Sequence, residues 1–167
     1  MEDKKRFVIA VYVENKAGVL TRVSGMFTRR AFNIDALTVG ETESPEYSRI
    51  TITATGNEYM RDQIVHQLSK LYNVKKVEVL EDGCIQRQLM LIKVAYDSQS
   101  RAEILAAAEV YRAKVIDYTS SEMCIEVTGH PNKIDAFVKL MIPFGVLEMC
   151  RTGIVALERG RKTLLNN

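Results

Sequence analysis

The chain has 167 residues, 47% of them hydrophobic, enough for one medium domain or two small ones with a real core. Its 23 basic and 21 acidic residues leave a net charge of +2, which excludes a bulk field that would gather nucleic acid or an anionic membrane. Cys84, Cys124 and Cys150 are odd in number, far apart and outside any CxxC spacing, which points to reduced thiols and away from disulfides or a metal site.

The N-terminal stretch MEDKKRFVIAVYVEN has too short an apolar run for a signal peptide, and no later segment approaches the ~18 uninterrupted apolar residues of a membrane span. A cytoplasmic protein is expected. Phe7, Ile9, Val11 and Val13 share one face of a first strand, while Val8, Ala10 and Tyr12 make its other face apolar as well. Both faces need cover, from a partner or a second domain. After Glu14-Asn15-Lys16-Ala17-Gly18 a helix opens near Val19, with Val19, Leu20, Val23, Met26 and Phe27 as its apolar stripe and Arg29-Arg30 in its last turn, where cations favour the helix dipole. Asn33 to Glu41 reads as a strand, Thr42 to Glu46 as a polar connection, and Ser48 to Thr55 as the returning strand of a hairpin with one wet face. Gly56-Asn57 breaks that strand. Met60, Ile64, Leu68, Leu71 and Tyr72 mark a second helix, and Val74, Val77 and Val79 a fourth strand.

A second cycle follows. Gln88 to Tyr96 is apolar and strand-like, Ser100-Arg101-Ala102-Glu103 has the capping-box pattern, and Ile104, Leu105, Ala108 and Tyr111 continue as a helical stripe. Lys114 to Thr119 and Met123 to Thr128 form a hairpin around Ser120-Ser121, Pro131 suits the first turn of a helix, and Val146 to Cys150 closes the cycle. The repeated β-α-β-β-α-β order predicts an α+β protein of two ferredoxin-like domains, residues 1–82 and 83–167, with the boundary near Gly83. The polar, basic tail Glu158 to Asn167 reads as a frayed terminus.

A helix that opens near Gly18, Val19 and Leu20 leaves its first N–H groups without intrahelical partners and adds the positive end of the dipole. A small anion suits such a corner. NKAGVL has one glycine and no GK[ST], which disfavours a nucleotide; a single carboxylate fits better. Asn33 carries an amide that can meet both the carboxylate and the ammonium of a zwitterion, and Val13, Val19, Leu20 and Ile34 make the surroundings apolar. The implied ligand is a small, neutral, branched amino acid. With about 8 heavy atoms at roughly −0.8 kcal/mol each, it would bind with a Kd on the order of tens of micromolar. His66 and His130 lack a neighbouring Cys or carboxylate at ligand spacing and read as structural, and Lys75-Lys76 reads as a wet strand start. Glu14 and Asp35 are candidates for holding a ligand ammonium, although a solvated carboxylate is the commoner case, and no GxSxG or other nucleophile motif appears.

The residues VENKAGVLTRVSGMFTRRAFNIDALTVG, followed by Ser48-Arg49-Ile50-Thr51-Ile52, resemble the ACT-domain regulatory (small) subunit of acetolactate synthase, and the similarity continues through RQLMLIKV, KVIDYT and RTGIVALERG. The resemblance implies an N-terminal ACT domain and a C-terminal ACT-like domain, activation of a catalytic (large) subunit, and feedback inhibition by valine or a related branched-chain amino acid. It implies a homodimer in which Asn15, Lys16, Ala17, Gly18, Val19 and Leu20 offer backbone amides while Asn33 and Ile34 come from the facing protomer. Thiamine diphosphate, magnesium and FAD would sit on the catalytic subunit and none on this chain. The family commonly has Gly where this chain has Ala31, so the end of the first helix is expected to close differently and shift Asn33. A free-standing ACT-domain sensor acting on another enzyme or on transcription is the alternative. An RNA binder would need aromatics where SRITITAT has none, and an acylphosphatase-like enzyme would use Arg22 and a loop amide cradle, whereas Arg22 lies about one turn inside the first helix and a second domain has no purpose there.

Overall fold

A computed structural model describes residues 4–165; the last two residues of the basic tail lie outside it. The first cycle is β1 (Lys5–Glu14), α1 (Val19–Arg29), β2 (Ala36–Glu41), β3 (Tyr47–Gly56), α2 (Glu58–Ser69) and β4 (Val74–Val79). The second is β5 (Ile85–Ala95), α3 (Ser100–Val110), β6 (Lys114–Tyr118), β7 (Glu122–Gly129), α4 (Pro131–Met141) and β8 (Val146–Arg151), and a short strand, β9 (Val155–Leu157), follows. The two antiparallel sheets have the equivalent orders β2-β3-β1-β4 and β6-β7-β5-β8.

In each unit one sheet face is closed by the two helices. Ile9, Val11, Val13, Ile50 and Ile52 meet Val23, Met26, Phe27, Ile64 and Leu68 in the first core. In the second, Met90, Ile92, Val94, Ile125 and Val127 meet Ile104, Ala108, Ile134 and Phe137. The α1 stripe is narrower than its sequence suggests: Val19, Val23, Met26 and Phe27 are buried, whereas Leu20 is 43% exposed.

The expected domain boundary needs correction. The chain divides into residues 1–85 with 153–167, and residues 86–152, so the C-terminal segment belongs to the first unit and not to the second. The reason lies in the other face of the first sheet. Val8, Ala10 and Tyr12 pair across β1 and β3 with Thr53, Thr51 and Arg49, and this face, expected to be wet on β3, is covered: Ile154, Ala156 and Leu164 pack there with Leu80 and Cys84. Arg49 donates to the Ala156 carbonyl (2.8 Å), Arg159 to the Gly83 carbonyl (2.7 Å), and the Glu81 N–H to Glu158 (2.7 Å), while Lys162 pairs with Glu78 and Glu81. Up to Leu165 the tail is therefore an anchored strap and not a frayed end. Gly153 is required where the strap starts, because a Cβ there would overlap Thr38 Oγ1 and lie 2.8 Å from the Leu37 carbonyl.

Two local expectations also shift. The capping box of α3 is built three residues earlier: the Asp97 carboxylate accepts from the Gln99 and Ser100 N–H groups, and Ser100 Oγ accepts the Asp97 N–H in return (2.9 Å). Aspartate is the stronger acceptor of the two candidates, and it takes the cap. At the end of α1 the Phe32 N–H bonds the Phe27 carbonyl and the Ala31 N–H the Thr28 carbonyl, so the helix closes in a Schellman motif with Ala31 at φ 55°. The expected alternative closure does not occur, and the strain stays in Ala31. The second unit ends α3 the same way at Arg112, φ 51°. Ala31→Gly is accordingly expected to stabilise the first unit by about 1 kcal/mol, seen as a higher urea midpoint at unchanged slope.

Candidate ligand site at the start of the first helix

The loop between β1 and α1 is fixed from both sides. The Asn15 N–H donates to the Glu46 carbonyl (2.7 Å), and its side-chain amide donates to Glu41 Oε1 (3.1 Å) and the Pro45 carbonyl (2.9 Å), tying the loop to the β2–β3 connection. On the other side Glu14 is held by Lys16 (3.0 Å), Lys75 (2.7 Å) and Asn73 Nδ2 (2.8 Å). Asn73 Oδ1 accepts from Arg22 (3.0 Å), which leaves that guanidinium committed to the fold and not presented to a phosphate.

These contacts, led by Lys75, hold the Glu14 carboxyl down to about 2 from its ordinary 4.5. Because the folded-state value is the lower one, Glu14 adds stability above about pH 4.5 that is lost as pH falls toward about 2. Glu14→Gln is expected to flatten the acid limb of the unfolding-midpoint curve in that window.

Gly18 turns the chain at φ 82°, ψ −7°. A Cβ built on it meets nothing within 4 Å, so the space beside it is open. The Val19 N–H closes a turn on the Lys16 carbonyl (3.3 Å), the Lys16 N–H bonds the Glu14 carbonyl (3.0 Å) and the Asn15 N–H is taken by Glu46, which corrects the assignment of all three as free donors; the Val19 side chain is in the core. The N–H groups of Gly18, Leu20 and Thr21 have no hydrogen-bond partner among the described residues. Other helices meet this need with a side chain: Asn57 accepts from Met60 at α2, Asp97 serves α3, and His130 Nδ1 accepts from Asn132 at α4. Only the start of α1 receives none among the described residues.

Asn15, Lys16, Ala17, Gly18 and Leu20 thus lie together and exposed at one end of α1. Asn33 and Ile34 lie beyond its other end, in the connection before β2 and not inside a strand as expected. An 11-residue helix is about 16 Å long, so one chain does not bring the two groups together. The Asn33 amide donates to Asp35 (3.1 Å), which also accepts the Thr55 hydroxyl (2.6 Å), so Asp35 orients Asn33. Ile34 is half-buried against the core. Asn73, Lys75 and Glu41, which hold the loop, were not singled out as site residues from the sequence. Nothing in their local pattern marks them, because only the β1–β4 and β2–β3 pairings bring them to the loop. Among the described residues no three His, Cys, Asp or Glu side chains are grouped to hold a metal, and no helix is long and apolar enough to cross a membrane. Among the described residues Cys84, Cys124 and Cys150 form no disulfide.

Two βαββαβ sheets, with a glycine-cornered, uncapped loop opening the first helix, define an ACT-domain protein. Two family models agree: residues 9–76 match the AHAS small subunit-like ACT domain, and residues 87–160 match the small subunit of acetolactate synthase. The chain is 43% identical over 157 residues to the probable acetolactate synthase small subunit of Archaeoglobus fulgidus, covering 94% of this chain and 99% of that one. It is 44% identical over 153 residues to the acetolactate synthase small subunit of Mycolicibacterium smegmatis, covering 91% and 90%. The crystal structure of the acetolactate synthase small subunit from Thermotoga maritima superposes with a TM-score of 0.87 at 37% identity, covering 95% of this chain and 99% of that one. The chain belongs to the acetolactate synthase small (regulatory) subunit family, and membership implies a catalytic-subunit partner.

Proposed function

We propose that this chain activates the catalytic subunit of acetolactate synthase and makes it sensitive to valine, bound between the first units of two copies. The observation that carries the reading is the start of α1, which alone among the α-helices receives no side-chain cap from the described residues while Gly18 keeps open space beside it. A carboxylate supplies what the helix lacks.

The position of β2 supports a dimeric cup. It is an edge strand with Val39 42% exposed; its Glu41 end is tied to the loop by Asn15, and its other end begins at Ala36, three residues after Asn33. Two β2 edges laid antiparallel about a two-fold axis set one copy's Glu41 end against the other's Asn33 end. Loop amides then meet the carboxylate from one protomer, and Asn33 Oδ1, left without a partner among the described residues, meets the ammonium from the other. Exposed Leu20 and half-buried Ile34 give the ligand side chain apolar walls, which suits a branched aliphatic group.

Valine acts on catalysis only through its different affinity for two arrangements of this dimer. The reaction, with its thiamine diphosphate, magnesium and FAD, takes place on the catalytic subunit. The second unit supplies the contact to that subunit through edge strands on which Ile116, Tyr118 and Leu147 are exposed. A thermal-shift screen of the common amino acids, followed by equilibrium dialysis, is expected to single out valine or a close relative at one per chain. If valine changes neither the melting temperature nor the activity of the enzyme reconstituted with its catalytic subunit, the reading fails.

A further inference from the structure

The two units repeat the same strand–loop–helix corner, and the backbone bonds align the copies residue by residue. The Asn15 N–H bonds the Glu46 carbonyl in the β2–β3 turn; in the second unit the Tyr96 N–H bonds the Ser121 carbonyl in the β6–β7 turn (2.8 Å). The side chains repeat this, with Asn15 donating to the Pro45 carbonyl and the Tyr96 hydroxyl to the Thr119 carbonyl. Asp97 therefore stands where the first unit has Lys16, and Gln99 where it has Gly18.

The consequences are opposite. Lys16 turns back to Glu14 (3.0 Å) and leaves the helix start unfilled. Asp97 Oδ1 accepts from the Gln99 N–H (3.0 Å), the Ser100 N–H (2.8 Å) and the Ser100 hydroxyl (2.7 Å). Gln99 is right-handed, at φ −87°, ψ −47°, whereas Gly18 is left-handed, and the helical bonding of α3 starts two residues earlier than that of α1, with the Arg101 N–H on the Asp97 carbonyl where α1 has the Arg22 N–H on the Gly18 carbonyl. The same hydrogen bonds keep the Asp97 carboxyl below the usual range, so it is ionised.

We propose that Asp97 is a built-in substitute for the effector's carboxylate: it occupies the anion cradle of the second unit and closes that unit to amino acids, so that one chain takes one effector through its first unit alone. This rests on the effector reading given above. A carboxylate tethered two and three residues from the amides it bonds acts at an effective concentration of millimolar or far higher, which a free amino acid binding in the micromolar range does not match. Lys16, at the equivalent position, is the residue type that keeps the first cradle open.

The test uses the full-length, isotopically labelled chain, its backbone amide resonances followed while sodium acetate or valine is added. In the parent, the Gln99 and Ser100 resonances are expected to stay fixed with either probe, while Gly18 and Leu20 shift with valine. In Asp97→Gly, Gln99 and Ser100 are expected to shift with acetate. Asp97→Asn, which keeps a neutral acceptor and the fold, is expected to show a smaller shift of the same two resonances and decides the matter if the glycine variant does not fold. Movement of Gln99 and Ser100 in the parent, or fixed resonances in both folded variants, overturns the proposal. If Gly18 ignores valine while the Asp97 variants respond to acetate as expected, the effector reading falls and the role of Asp97 stands.

Discussion

Gly18→Asp is expected to raise the Kd for valine at least a hundredfold and to leave the reconstituted enzyme without feedback inhibition. The space beside Gly18 is open, so the new carboxylate fits, and it points its charge at the place proposed for the ligand's own. Two like charges at about 4 Å repel by roughly 4 kcal/mol at the effective dielectric of a protein surface, enough for about a thousandfold. The backbone contributes less, since φ 82° costs a non-glycine residue about 1 kcal/mol and Asp is among the residues that tolerate it best. Gly18→Asn separates the two effects, having the same size and the same backbone demand without the charge. It is expected to keep the Kd within about tenfold of the parent, and equal losses in both variants, read by calorimetry, would place the carboxylate elsewhere.

Ile154→Ala is expected to destabilise the first unit by about 2–5 kcal/mol, although Ile154 lies outside both βαββαβ repeats. Its side chain is 1% exposed in the cluster with Val8, Ala10, Tyr12 and Leu80, so truncation leaves a cavity on a face that the strap otherwise covers only with Ala156 and Leu164 among its buried residues. Against a typical total of 5–15 kcal/mol this is a large fraction. Leu165→Ala, at a 51% exposed position, should be near neutral and serves as the control. Urea denaturation read by hydrogen exchange in β1 and β3 checks both, and a change under 1 kcal/mol in Ile154→Ala would mean that the strap contributes little. The strap also governs how the second unit should be removed. Cutting away residues 84–167 uncovers the first sheet, whereas joining Ile85 to Gly153 by a flexible linker keeps it covered. Full activation by that linked chain would move the catalytic-subunit contact to the first unit.

The sequence by itself determined the order of elements within both repeats, both helix-facing cores and the glycine-cornered start of α1, because each is written in short-range pattern. Alternation along Phe7–Val13 and Ile50–Ala54 fixes which side chains turn inward, the i, i+4, i+7 spacing of Val19, Val23 and Met26 sets the face of α1, and a lone glycine before a helix marks an uncapped start. Even the doubly apolar β1 was legible, as a demand for a second cover. Only the tertiary structure decided what answers that demand. The strap's three buried residues, Ile154, Ala156 and Leu164, are too few and too irregularly spaced to show a period, and they find β1 across an intervening unit of 67 residues, 86–152. The commitment of Glu14, Asn73 and Arg22 to one another, and of Asp97 to the helix start that Ser100 was expected to cap, were likewise settled by strand pairing and by competition between acceptors. Local periodicity registers the direction in which a side chain points, whereas the identity of its partner depends on distances that exist only once the chain has closed on itself.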